Sequence, residues 1–342
     1  METAFFLASN SGRGFYSLYD EFPGEGLFLH IIKGGPGTGK SSFMRRIAEA
    51  ARERGMDTEL IYCSGDPDSL DGLSIPALNQ AWMDGTAPHV REPGLFGVDS
   101  DYVNLGRFCR SPIAKEDAKR ALGINQEYKA LYASAYSYLA AESAVAGAFE
   151  TQPLSGEQLE QVENIISDIL EGEARHHRKA KGRQRMRFIS AISCRGKYSL
   201  EESVKKLCKQ YYLFENPLHA HQLLSIVAKQ ARDYGLETIL CPEALRPERL
   251  EAVLLPESEI CFRAAEADSC GTGMRICFGK EAEKGEKNLY ANPIKEKLRE
   301  QTTMLLAKAK ALHDDLEAIY RPNMDFAALN RYTDEYIERL FK

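Results

Sequence analysis

The chain has 342 residues, 44% hydrophobic and 27% charged, the composition of an ordinary soluble protein with room for two cores. A net charge of -6 argues against general nucleic-acid binding, and no apolar run approaches the roughly 18 residues that cross a bilayer, so neither partner is expected. The opening METAFFLASN carries an acid where a signal peptide carries basic residues, and the eight cysteines show no CxxC pair or zinc spacing; both fit free thiols in a reducing cytoplasm.

In chain order, the first strong signal is GLFLHIIKGGPGTGKSSFMRRIAEAARERG. Leu27 to Ile32 reads as a buried strand, and a glycine-rich turn then enters a helical pattern that ends at Gly55, a natural C-cap. Gly34, Gly39, Lys40 and Ser41 fit G-x-x-x-x-G-K-[ST] in the strand-loop-helix setting of a phosphate-binding loop. Glycines let successive N–H groups converge on phosphate oxygens, and the following helix turns its positive end to the same anion. Gly35, Pro36, Gly37, Thr38, Gly39, Lys40, Ser41 and Ser42 are therefore the expected nucleotide cradle. Lys40 would reach the β- and γ-phosphates, and the Ser41 hydroxyl would ligate Mg²⁺. The plainer alternative is a glycine turn that caps a helix.

Downstream, DTELIYC reads as a second strand and SGDPDSLDG as the polar loop after it. ALNQAWMDGTAPH then offers a third strand that runs into Asp84, an acid placed to complete the Mg²⁺ shell, or otherwise a turn residue before Gly85. Asp66, Asp68 and Asp71 form an acidic loop at the carboxyl end of a strand, where open α/β sheets bind ligands, although Asp-Pro-Asp is also turn chemistry. Thr86 and His89 follow closely. His89 could act as a general base or orient water, or could simply be a solvated loop histidine. Helical spacing covers about 115–150, with Gly123 as the expected break, and continues from Gly156 to about 181. The tyrosine and alanine stripe in YKALYASAYSYLAA reads as helical-hairpin core. The basic run ARHHRKAKGRQRMR reads as a solvated helix end or, more sharply, as a phosphate or nucleic-acid contact.

The second half repeats the first. Phe6–Leu18 laid over Phe188–Leu200 gives seven identities in thirteen at a shift of 182. Ile47–Pro76 laid over Val227–Pro256 gives nine in thirty at a shift of 180. A last helical pair, about 293–320 and 326–340, has the layout of the pair at the end of the first copy. The chain is a duplication. The copies part at the glycine loop, where FENPLHAH puts Ala220 opposite Lys40 and His221 opposite Ser41, while Arg246 meets Asp66. The expected architecture is α/β: two tandem P-loop NTPase-like three-layer α/β/α repeats, each followed by a helical hairpin. Residues 1–182 would form the working domain and 183–342 a degenerate pseudo-domain. The shared RGxYSL motif calls for a fold-forming or domain-joining role. Arg195 as an arginine finger into the other half is the rival reading.

GFYSLYD, KGGPGTGKSS, CSGDPDSLDG, IPAL and DGTAPHV together resemble an uncharacterised bacterial family of tandem P-loop ATPases, over nearly the whole chain. The resemblance implies ATP binding at Gly34–Ser42 and names no substrate. This chain departs from members that keep a second GKS-type loop. No NKxD guanine-reading motif is present, so ATP with Mg²⁺ is the default. The function expected is an ATPase with one nucleotide site. The alternatives are phosphotransfer to a small-molecule acceptor, as in a nucleotide kinase, or a nucleotide-gated protein that binds a partner with little turnover.

Overall fold

The computed structural model describes residues 1–148, 154–177, 182–214, 217–265, 273–276 and 287–342. In the first half, β1 (Glu2–Phe6) leads to a hairpin of β2 (Ala8–Ser11) and β3 (Gly14–Ser17), then β4 (Phe28–Lys33) and helix α1 (Lys40–Glu53). There follow β5 (Thr58–Tyr62), β6 (Leu70–Ile75), β7 (Gln80–Asp84), β8 (Ser100–Asn104) and two long helices, α2 (Lys115–Gly147) and α3 (Gly156–His177). The second half begins with β9 (Gln184–Met186), a hairpin of β10 (Ser190–Ser193) and β11 (Gly196–Ser199), and short α4 (Glu201–Leu207). It continues through β12 (Gln210–Phe214), α5 (Pro217–Asp233), β13 (Thr238–Pro242), β14 (Leu250–Leu255), β15 (Ile260–Ala264) and β16 (Met274–Ile276). It ends with α6 (Lys287–Tyr320) and α7 (Phe326–Leu340).

The duplication is plain in the strand order. One sheet runs β1-β5-β6-β7-β4-β8 and the other β9-β13-β14-β15-β12-β16. Each is mixed: β6 and β14 are antiparallel to both neighbours, and the remaining pairs are parallel. LDGLSI, the sequence of β6, falls partly in the stretch expected to be a polar loop. It is a strand buried at every position, so alternation of small polar and apolar residues misreads as exposure when both faces are covered.

Two expectations are corrected. The first is the three-layer repeat. Helices α1 and α7 cover one face of the first sheet, and α5 and α3 cover one face of the second. The opposite faces meet in one shared cluster, in which Phe5, Ile31, Ile61 and Met83 of the first sheet join Ile239, Cys241, Leu254 and Cys261 of the second. Each copy buries its apolar face on the other copy rather than under helices of its own. The second correction is the helical hairpin. Helix α2 packs along α6, and Tyr128 facing His313 while Glu142 binds Arg299 sets the two antiparallel. Helix α3 then joins the core of the second half and α7 the core of the first. Gly123 does not break α2; its Cβ position is open, and the cost of a helical glycine, about 1 kcal/mol, is small beside packing of this length.

The repeated motif forms the joint. Phe6 and Phe188, each the counterpart of the other, exchange backbone hydrogen bonds of 2.9 Å in both directions. Tyr16 packs edge-on against Phe188 at 6.1 Å, and Tyr198 against Phe6 at 6.4 Å. Gly12 N–H donates to Leu245 O, and Cys194 N–H to Gly65 O. Gly14 and Gly196 take positive φ (86° and 82°) at the two hairpin turns, where a side chain would strain the backbone. The copies are thus related by a pseudo-two-fold axis through this contact, the domain-joining role expected of the motif. The six cysteines among the described residues are free thiols.

Of the basic run at 174–187, residues 178–181 and the side chains of 176–177 lie outside the described residues. Its end is not a solvated helix terminus. Arg187 is 2% exposed and donates to buried Glu59 at 2.6 Å, joined by Arg185 at 3.1 Å. The symmetry-related positions hold apolar Phe5 and Ile239 in the shared core. Burial alone would raise the Glu59 carboxyl, but Arg187 and Arg185 hold it below its ordinary value. The stabilisation from this pair is complete above the ordinary carboxylate pKa and lost as pH falls through the lowered folded-state value. Arg187→Leu should cost about 3 kcal/mol at neutral pH by leaving one oxygen of buried Glu59 unanswered, with only the half-exposed Arg185 as counter-charge. Adding Glu59→Leu should recover most of that loss. Urea unfolding of the two variants checks both.

Candidate functional site

Strands β1, β5, β7, β4 and β8 all point the same way, so their carboxyl ends gather on one edge of the first sheet. The glycine loop leaves β4 there, the acidic loop leaves β5, and β7 ends there at Asp84, opposite Ile32. Because β6 runs backwards, its first residues start at the same edge, which brings buried Asp71 to the site. These loops line a cavity of about 920 Å³. Gly35, Pro36, Gly37, Thr38, Gly39, Lys40, Ser41 and Ser42 all line it, as do Asp66, Asp68, Asp84 and His89.

The loop is built by its glycines. Gly37 and Gly39 are in the left-handed region (φ 67° and 86°), and Gly39 is the N-cap of α1. Thr38 Oγ1 donates to Gly35 O at 2.8 Å and closes the turn. Lys40 opens the helix, and its ammonium lies 2.9 Å from the carbonyls of Gly34 and Gly35 and 3.6 Å from Asp84 Oδ2. The other Asp84 oxygen accepts from the Thr86 N–H at 2.9 Å and the Thr86 hydroxyl at 2.6 Å. Asp84 therefore does both of the things expected of it: one oxygen closes an Asx-turn onto Thr86 and the other faces the lysine. Ser41 Oγ accepts from Leu70 N–H at 2.9 Å, which ties the helix start to β6.

The rest of the wall comes from helices that sequence reading did not connect to the loop. Three glycines touch the second half: a Cβ on Gly35 would meet Tyr320 at 2.8 Å, one on Gly37 would meet Glu317 at 3.2 Å, and one on Gly39 would meet Leu329 at 3.0 Å. Lys310 of α6 stands 3.5 Å from Asp66 and 2.6 Å from Asp314. Burial pulls the Lys310 ammonium down, but these two acids hold it above its ordinary value. Tyr128 and Tyr132 of α2 line the cavity, with ring centroids 4.9 Å apart. Their i, i+4 spacing is legible in the sequence; their meeting with α6 and the glycine loop is not. Arg195 reaches the cavity only through Asp68, with which it pairs. Its counterpart Arg13 pairs with Glu248, the residue opposite Asp68. His89 is not a solvated loop histidine, since its side chain is 7% exposed.

The corresponding edge of the second sheet keeps the skeleton of this site. His221 Nδ1 accepts from Leu250 N–H at 3.0 Å, as Ser41 Oγ accepts from Leu70. Helix α5 begins at Pro217, three positions ahead of the counterpart of Lys40, and the lysine position holds buried Ala220.

Comparison with protein families, with curated proteins and with solved structures finds no match for this chain. The packing of Gly35 generates a direct test. Gly35→Ala should lower stability by about 1–3 kcal/mol through overpacking against Tyr320, and Tyr320→Ala in the same chain should relieve most of that difference. Urea or thermal unfolding of the four combinations reads the coupling. Additive losses would contradict the contact.

Proposed function

We propose that this chain is a P-loop NTPase with a single Mg·ATP site in its first half, hydrolysing ATP with water as the default acceptor. The observation that carries the reading is the loop itself: two left-handed glycines, a helix that starts at Lys40, and Asp84 3.6 Å from that lysine. The residues suit the ligands. Consecutive backbone amides at a helix N-terminus favour a polyphosphate. A serine hydroxyl and a carboxylate are hard oxygen donors of the kind that hold Mg²⁺ while substrate phosphates and water complete its shell. Bound Mg²⁺ would neutralise charge that develops on the phosphate oxygens.

The chain's own groups have distinct tasks in this reading. The amides of 37–41 orient the phosphates. Lys40 would exchange its two loop carbonyls for phosphate oxygens, and Asp84, held by Thr86, would hold the metal together with Ser41. Lys310 and Arg321 of the second half, each paired with an acid, would turn to the phosphates; the Arg321 stem lies 3.3 Å from the Cβ position of Gly37. Helix α6 against the loop also favours a nucleotide-gated function, because a change in loop shape would press on Tyr320 and Glu317 and pass to the other half.

Lys40→Ala should abolish or severely weaken Mg·ATP binding in calorimetry while the circular dichroism spectrum stays unchanged; unaltered affinity would sink the assignment. Asp84→Asn should cost turnover roughly 10²-fold or more while affinity falls far less. Multiple-turnover phosphate release, with and without candidate acceptors, separates hydrolysis, phosphotransfer and binding alone.

A further inference from the structure

Lys40, Ser41 and Asp84 leave one task unassigned: a group to take the proton from the attacking water. Lys40 is a cation, and Asp84 is committed to Thr86 and Lys40. In the lining of the same cavity His89 is clamped between aromatic rings, stacked on Tyr19 at 4.2 Å and tilted against Phe15 at 6.0 Å. Its Nε2 lies 3.6 Å from Asp71 Oδ2. Its Nδ1 is buried with no hydrogen-bond partner, in a residue that lines the cavity. Asp71, 6% exposed and also in the lining, accepts the Tyr19 hydroxyl at 2.8 Å.

The segment that carries His89 is tied down on both sides. Lys33 Nζ donates to the carbonyls of Gly85 (3.0 Å) and Arg91 (2.7 Å). The Arg91 guanidinium donates to the carbonyls of Tyr19 (2.6 Å) and Phe22 (3.0 Å). An imidazole in the cavity lining, clamped between rings with one nitrogen toward a buried carboxylate and the other without a partner, is an oriented base.

The half without the glycine loop has dismantled this arrangement. Glu251, the counterpart of Asp71, accepts from Ser190 at 2.7 Å and has the Lys197 ammonium at 3.6 Å. Glu201, the counterpart of Tyr19, is paired with Arg263 at 2.8 Å. There the acids are answered by permanent cations. Beside Asp71, at 3.6 Å, stands the His89 imidazole, a group able to take up and release a proton.

We propose that His89 is the general base of the first-half site and that Asp71, held by Tyr19, is the residue that positions it. The assignment rests on the nucleotide reading above. As the water oxygen bonds to the terminal phosphorus of ATP, one of that water's protons passes to the His89 imidazole and the other stays on the phosphate formed. The bond from this phosphorus to the bridging oxygen breaks, and the bridging oxygen leaves with its electron pair on ADP. Asp71 stabilises the imidazolium until the proton passes to solvent.

The test measures Mg·ATP affinity by calorimetry and phosphate release across pH, for the full chain and its variants. His89→Gln should bind Mg·ATP as the parent does, lose turnover about 10²-fold or more, and lose the acid limb of its pH–rate profile. Asp71 from β6, Tyr19 from the turn after β3 and Phe15 from β3 face the ring, with Cys63 and Asp84 behind Asp71. Asp71→Asn should therefore keep affinity and move the acid limb to lower pH, because the imidazolium loses its counter-charge. Should Asp71→Asn fail to fold, Tyr19→Phe removes a single hydroxyl and should still lower turnover at unchanged affinity. Full turnover in His89→Gln with binding intact overturns the general base alone. An unmoved limb in Asp71→Asn, or unaltered turnover in Tyr19→Phe, overturns the positioning role. A parent chain that does not bind Mg·ATP overturns the nucleotide reading and this assignment together.

Discussion

The structure hangs on one contact, the paired backbone hydrogen bonds between Phe6 and Phe188. Each residue ends or follows the first strand of its copy, so the bonds fix the two sheets about a pseudo-two-fold axis with their apolar faces toward each other. That placement leaves one outer face per sheet for helices. With α2 and α6 running antiparallel along one another, each carries its chain across to the other copy's sheet, where α3 and α7 complete the cover. Neither copy closes its core without the other. The glycine loop inherits the same dependence, since Tyr320, Glu317 and Leu329 of the second copy lie against its backbone.

Duplication leaves two copies that have diverged at the carboxyl edges of their sheets. The first keeps a full loop at the carboxyl edge of its sheet, and with it Asp71, whose neighbour is the imidazole of His89. The second replaces the loop by an earlier helix start and neutralises its acids with Lys197 and Arg263. The position of Ser41 survives there as His221, which still binds the first residue of the antiparallel strand. The backbone task of that position has been kept. On the other flank of the axis, Arg187 and Glu59 form a buried ion pair where the symmetric position is apolar, so the joint itself has become asymmetric.

What the sequence discloses follows from range. The loop from Gly34 to Ser42, the helix α1 with its Gly55 cap, and Asp84 are local patterns, and they are legible because a short stretch of chain determines them. The duplication is legible because identity and spacing recur, and α7 falls where the last helical pattern puts it. Strand β6 is obscured because Asp71, Gly72 and Ser74 imitate a polar turn. Both of its faces are in fact buried, which no periodicity reports. The exchange of α3 and α7 is invisible because either helix could cover either sheet, and only the axis through Phe6 and Phe188 decides. Lys310, Glu317, Tyr320 and Arg321 lie far along the chain from the loop they meet and carry no motif; antiparallel packing of α2 and α6 brings them there.

The most direct measurement is a crystal structure of the full chain grown with Mg²⁺ and a non-hydrolysable ATP analogue. One nucleotide per chain is expected, its phosphates on the amides of 37–41 and Lys40, with Ser41 and Asp84 at the metal and side chains of α6 closing the other wall. A nucleotide at the start of α5, two nucleotides per chain, or a glycine loop left empty at saturating analogue would contradict the account.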